Sequence, residues 1–255
     1  MEEAARKRQI GSISVGFRLI EVLAQSIKPL SLTEISKAAG FKTGQSQLYM
    51  NSFLAEGLVE QDRKTLKYRL GGLALQLGML RINAIEPTDL AFKHLSDLTV
   101  RTGRTGLICI WTSAGPIIIR KIDRNPYAPV SLRIGHVQSL LRTATGIVFC
   151  AHLHPDITET LLKAEFSRSA NAAEEKANLA KAIDHIRATG WAYSANRTTS
   201  GFAATSAPVF DHSGATVCTM TLLGPESELT PEGQEALAAD LLETTRIVSS
   251  KLGWV

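Results

Sequence analysis

With 255 residues, 44% of them hydrophobic and 20% charged, the chain has the composition of a folded soluble protein able to bury a good core in one or two domains. No apolar run approaches the roughly 20 residues that cross a bilayer, the start MEEAARKRQI lacks the apolar stretch of a secretion signal, and Cys109, Cys150 and Cys218 show no C-x-x-C spacing, so reduced, buried thiols in a cytoplasmic protein are expected. Residues 1–80 carry 11 Lys and Arg against 7 Asp and Glu, whereas residues 81–255 carry 17 of each; a basic module on a neutral body suits a polyanion partner, with chance asymmetry as the alternative.

Apolar residues recur from Ser12 to Ala24 at Val15, Leu19, Ile20, Val22 and Leu23, a helical period. Pro29 closes the connection that follows, and Ser31-Leu32-Thr33-Glu34 has the S-x-x-E form of a capping box. The second helix that starts there turns Leu32, Ile35, Ala38 and Ala39 toward a core, and Gly40 stands where a C-terminal glycine belongs. After Phe41 and Lys42, Thr43 can cap a third helix whose first turns are small and polar. Its later residues Tyr49, Met50, Phe53 and Leu54 are apolar and face inward, and Gly57 closes it. Two short helices across a tight turn, the second polar on its outer N-terminal face, describe a helix-turn-helix. Residues 58–62 and 66–70 read as short strands around Arg63-Lys64-Thr65, a hairpin with a basic tip that would be the wing of a winged helix. Gly71-Gly72 leads into a helix from Leu73 to Ile85, stopped before Pro87, which reads as a connector. The expected division is a winged helix-turn-helix domain over 1–80, with a linker helix from about 72 to 86, and a second domain over 87–255.

The second part mixes helices and strands. A helix from about Thr88 to Thr102 precedes strands at 105–111 and 116–122 with a turn at 112–115. A loop rich in Pro and Arg leads to helices at 143–154 and 156–166, the latter with Asp156 and Glu159 as a capping box. A polar helix at 172–189 ends at Gly190. Strands at 203–210 and 215–223 flank the turn Asp211-His212-Ser213-Gly214, and Thr230-Pro231 starts a last helix toward Leu252. Helices around an antiparallel sheet make an α+β, sensor-like domain. The run Cys150-Ala151-His152-Leu153-His154 invites a metal or thiol site. His152 and His154 would diverge by about 200° on a helix, however, and Cys150 and His154 share a face without a third ligand. No G-x-S-x-G, H-E-x-x-H or Gly-rich phosphate loop is present. No catalytic residue, metal or cofactor is therefore assigned.

Several strings in this order and spacing resemble the IclR family of bacterial transcriptional regulators: SVGFRLIEVLAQSIKPLSLTEISKAAGF, GLVEQD…YRLGGLALQLG, RIGHVQSLLRTATG, GWAY…GFAATSAPVFDHSG and LLGPESELTPE. The resemblance spans nearly the whole chain. It implies an N-terminal winged helix-turn-helix joined by a linker helix to a GAF-like α+β effector-binding and oligomerisation domain. It also implies binding to double-stranded operator DNA as a dimer or tetramer, repression or activation under control of a small molecule, and RNA polymerase as a candidate further partner.

On that reading Thr43, Gln45, Ser46, Gln47 and Asn51 face the bases. Gln and Asn can bond bidentately to adenine, while Ser and Thr are less selective. Leu48 stands where relatives commonly carry a basic residue. Phosphates would be held by Arg6, Lys7 and Arg8 of the arm and by Lys42, Lys64, Lys67, Tyr68 and Arg69, setting position and salt dependence. The family's effector positions fall on Ala144 and Thr145 for the amide loop, Ser194 and Ala195 for an acidic pair, Ala204 for a cysteine, and Thr221 and Leu223 for serines. These departures point to a larger or more apolar acid, aromatic among the candidates, with Ser194, Thr205, Ser206 and Thr221 as hydroxyls. Arg142 either grips its carboxylate or turns to solvent or a dimer contact. A sensor-domain protein with a catalytic or scaffolding role and incidental DNA binding is the alternative, and a regulator whose pocket is filled by side chains is a third.

Overall fold

The computed structural model describes residues 10–26, 28–83, 86–124, 132–198, 200–228 and 230–255, and the chain divides into two compact units, Met1–Ala84 and Ile85–Val255. In the first unit α1 (Gly11–Ala24), α2 (Leu32–Ala39) and α3 (Thr43–Ala55) enclose Leu19, Leu23, Ile35 and Met50. The Ser31 capping box forms: the Glu34 N–H donates to Ser31 Oγ at 3.3 Å and the Ser31 N–H donates to Glu34 Oε2 at 2.7 Å. The inward stripe of α2 is Leu32, Ile35, Ser36 and Ala39, the i, i+3, i+4, i+7 set of a helix, and Ala38 is exposed rather than turned to the core. Ser36 tolerates burial by donating to the Leu32 carbonyl at 2.7 Å. Lys42, not Thr43, is the N-cap of α3. Helix α1 comes so close to α3 at Gly16 that a Cβ there would lie 2.9 Å from Phe53 Cζ.

Strand β1 (Val59–Gln61) pairs antiparallel with β2 (Tyr68–Leu70), Val59 opposite Leu70. Both strands are shorter than the sequence suggests because Asp62 folds the tip over itself. Its Oδ1 accepts the Lys64 and Thr65 N–H groups at 3.0 and 2.7 Å, and Leu66 takes a φ of +57°. Leu30, expected to lie in a mere connection, exchanges two backbone hydrogen bonds with Tyr68 and so ties the α1–α2 segment to the wing. Helix α4 (Gly72–Asn83) completes the unit.

The second unit is built on one antiparallel sheet of order β4-β3-β7-β6-β5, comprising β3 (Thr105–Thr112), β4 (Gly115–Ile122), β5 (Ala192–Ala195), β6 (Phe202–Phe210) and β7 (Thr216–Pro225). The short edge strand β5 had no counterpart in the sequence reading. Helices α5 (Pro87–Thr102) and α9 (Pro231–Lys251) cover one face, burying Leu95, Leu98, Ile108, Met220, Leu222 and Leu241 between them and the sheet. Helix α6 (Ala144–His152) lies on the other face, with α8 (Ala172–Thr189) against it and α7 (Pro155–Phe166) against α8. The first turn of α7 is capped by His154, whose Nδ1 accepts the Asp156 N–H at 3.4 Å, so the Asp156–Glu159 capping box does not form. The fold is α+β with a helix-turn-helix at its N-terminal end.

Candidate nucleic-acid interface and interior polar cluster

Met50 of α3 is wholly buried, and the residues about half a turn round from it face solvent: Gln45, Leu48 and Ser52, flanked by Gly44 and Asn51. Lys42 and Thr43 extend this exposed surface over the start of the helix. Gln47 is half-buried, and its Nε2 donates to Asn51 Oδ1 at 2.8 Å and to the Tyr68 hydroxyl at 3.4 Å. The two amides therefore brace one another, with Asn51 the more exposed of the pair. Two expectations need correction. Ser46 is fully buried one helical turn before Met50, and its Oγ donates to the Lys42 carbonyl at 3.2 Å, so it cannot reach a base. Tyr68 is buried in the core with Leu19 and Met50, so it holds the wing and Gln47 rather than a phosphate.

On the wing, Lys64 and Lys67 are exposed, and so is Arg63 beside them, which the phosphate set left out although its place at the hairpin tip was visible. Arg69 is exposed but paired across the strands: its Nη2 and Nε donate to Glu60 Oε2 at 3.0 and 3.2 Å. Hydrogen bonds from the Thr65 backbone and hydroxyl and from the Lys64 N–H hold the Asp62 carboxyl below its usual range, so it stays charged and keeps the tip folded. Arg6, Lys7 and Arg8 lie outside the described residues.

In the second unit the strand register lines up two rows. Ser194 stands opposite Ala204, which stands opposite Leu223, and the adjoining row runs from Ser206 to Thr221 to Leu107. The start of α6 closes over them. The Ala144 N–H donates to Ser194 Oγ at 3.1 Å, and Thr145 Oγ1 lies 2.8 Å from Thr221 Oγ1, which in turn donates to Ser206 Oγ at 2.9 Å. Thr143 caps α6 by accepting the Gly146 N–H at 2.9 Å. The structure thus brings Ala144, Thr145, Ser194, Ala204, Thr221 and Leu223 together. Cys109 joins them: burial pushes its thiol up to about 12, against the pull of hydroxyls at Thr145 and Thr219. The alternation of Thr105-Gly106-Leu107-Ile108-Cys109 could have shown that Cys109 shares the Leu107 face. Thr205 does not belong, because it alternates with Ala207 and Val209 onto the face covered by α5 and α9.

Arg142 also stands apart. It is exposed and lines a cleft of about 480 Å³ whose walls include Ser139, Arg168 and Glu175 and none of the six residues above. Glu165, in the same cleft, accepts from Ser139 Oγ and from the Leu140 and Leu141 N–H groups at 2.6, 2.8 and 3.2 Å, so a carboxylate of the protein itself fixes the approach to α6. Cys150 and His154 do not share a helix, since α6 ends at His152. The Cys150 thiol is raised to about 12 by burial and by the Glu165 charge.

A family model described as the IclR helix-turn-helix domain matches residues 12–63, and one described as the bacterial transcriptional regulator IclR C-terminal domain matches residues 82–250. The glycerol operon regulatory protein of Streptomyces griseus is 27% identical over 248 residues, covering 96% of this chain and 98% of its own length. The HTH-type transcriptional regulator XynR of Escherichia coli K12 is 25% identical, covering 92% of each chain. Among solved structures, Pseudomonas aeruginosa HmgR superposes with a TM-score of 0.85 at 28% identity, covering 96% of this chain and 99% of that one.

Proposed function

The chain belongs to the IclR family of bacterial transcriptional regulators, and from that premise we propose that it binds operator DNA as a dimer or tetramer and that a small organic acid controls the binding. The observation that carries the DNA reading is the outer face of α3, where Thr43, Gln45 and Asn51 are exposed in the same unit as an exposed basic wing tip. Gln45 and the Gln47–Asn51 pair are suited to adenine edges in the major groove, and Lys42, Lys64, Lys67 and Arg69 to the flanking phosphates. The DNA-binding segment is residues 1–80, with α4 (Gly72–Asn83) as linker helix and Glu86 an extended N-cap of α5 rather than the end of that linker, and residues 87–255 take up effector and partner subunits. The site of action is the cytoplasm, and RNA polymerase is a further candidate partner.

The effector site in this reading is the cluster under α6. A carboxylate reaching the Ala144 N–H would displace the Ser194 hydroxyl, and its apolar part would lie on Ala204 and Leu223. An effector alters operator binding only by favouring one of two arrangements of the protein over the other. The experiment is retention of the whole protein on a duplex carrying its own upstream intergenic region, against an unrelated duplex, at two salt concentrations. Four phosphate contacts per subunit predict that fourfold more salt weakens binding by about two powers of ten per subunit. Equal, weak retention of both duplexes, with and without aromatic and aliphatic acids, would overturn the reading.

A further inference from the structure

Leu48 sits in the middle of the exposed outer face of α3 and is 69% exposed, whereas the apolar side chains that hold α3 in place, Tyr49, Met50, Phe53 and Leu54, all lie inward. It is about 200° round the helix from Met50, so it contributes nothing to the core of its unit. Gln45 precedes it by three residues, and Asn51 and Ser52 follow by three and four, so Leu48 is the centre of the exposed stripe and not its rim. Around it the chemistry fits a nucleic-acid duplex: Lys42 at the start of the helix and Lys64 and Lys67 on the wing are exposed. Leu48 offers no hydrogen bond to a base and no charge to a phosphate. The one apolar group that the major groove displays is the thymine 5-methyl, and it is unique to thymine.

We infer that Leu48 is a specificity-determining residue that reads a thymine methyl, next to an adenine read by Gln45. A rise of about 4.5 Å along the helix from Gln45 to Leu48 is close to the spacing of successive base pairs, so the two side chains fall on adjacent steps. A basic side chain here would select guanine or hold a phosphate; an apolar side chain at this position instead makes the operator rich in A·T at its centre of contact. This inference rests on the DNA-binding reading.

The test is made with the whole protein on operators recovered by selection from random duplexes. Each thymine of the selected site is then replaced singly by deoxyuridine, which removes the methyl and leaves the hydrogen-bonding edge intact. At one or two positions affinity falls about fourfold, the value of burying one methyl-sized group. In L48A the overall affinity is lower and the same replacements cost nothing further. In L48R, selection at that position moves from thymine toward guanine. The inference is overturned if every deoxyuridine duplex binds wild type as well as its thymine parent, or if L48A keeps the methyl dependence. Recovery of no selected sequence overturns the DNA-binding reading itself, a different outcome from a selected operator indifferent to the methyl.

Discussion

Thr145 on α6 and Thr221 on β7 place their hydroxyl oxygens 2.8 Å apart, both buried, and Thr221 passes the chain on to Ser206. A helix start and two strands are joined there by a polar thread through an otherwise apolar layer. Replacing Thr221 by Val keeps the shape but leaves Thr145 and Ser206 without their shared partner. Such a buried loss costs about 1–3 kcal/mol. Chemical denaturation should show T221V destabilised by that much and a T145V/T221V pair losing less than the sum of the singles. Additive losses would mean that the two hydroxyls do not depend on each other.

Gly146 lies one residue further into α6, packed on the segment that leads to it. A Cβ at this position would come within 2.1 Å of the Ser139 carbonyl oxygen and 2.6 Å of Leu140 Cα. Both are backbone atoms and cannot swing away. G146A should therefore force α6 off the sheet and lower stability by about 3 kcal/mol or more, well beyond the usual effect of Gly to Ala in a helix, which is favourable. A thermal midpoint equal to or above that of wild type would show that the segment yields without cost.

What the sequence made legible followed from local chemistry. The capping box at Ser31, the glycine after α2, the proline start of α9 and the helix-turn-helix spacing all rest on neighbours in the chain, and all are present. Ser46 and Tyr68 were misjudged because type and position suggested contact with DNA, whereas burial depends on the angle at which α3 and β2 meet the rest of the unit. Strand β5 escaped because four residues carry too little alternation to stand out. Cys109 was placed in the core correctly, but only the pairing of β3 with β7 shows that it borders Thr145 and Thr219. Arg142 follows the same lesson, since nothing local says which side of the α6 approach it takes.

Stability should fall on mild acidification. His94 Nε2 lies 3.0 Å from Lys251 Nζ, and burial, the Lys251 charge and Lys93 lower its pKa, with Asp97 opposing. His152 is lowered by burial and by Arg187. A histidine whose folded pKa lies below its unfolded value of about 6.5 is bound by more protons in the unfolded chain, so stability rises with pH. This contribution is complete above pH 6.5 and is lost as pH falls through the lowered folded values. Thermal midpoints between pH 7.5 and 5 should show the drop, and K251Q should make it shallower. A K251Q profile parallel to wild type would place the effect on His152 and burial alone.

The Glu60–Arg69 pair makes the last expectation opposite in sign to ordinary loss of function. Its atoms are 3.0 Å apart on exposed wing strands, where such pairs contribute about 0–1 kcal/mol to stability. E60Q should thus leave folding nearly untouched. If Arg69 faces phosphate, Glu60 competes for it and repels the backbone, so E60Q should bind every duplex a few-fold more tightly at low salt. Because the gain is electrostatic, it should shrink as salt rises, and the slope of log affinity against log salt should steepen by up to about one. The base preference should not move, since phosphate contacts carry no sequence information. In an R69A background the same substitution should gain less. Equal gains in both backgrounds would mean that Glu60 acts on DNA directly and that Arg69 makes no phosphate contact.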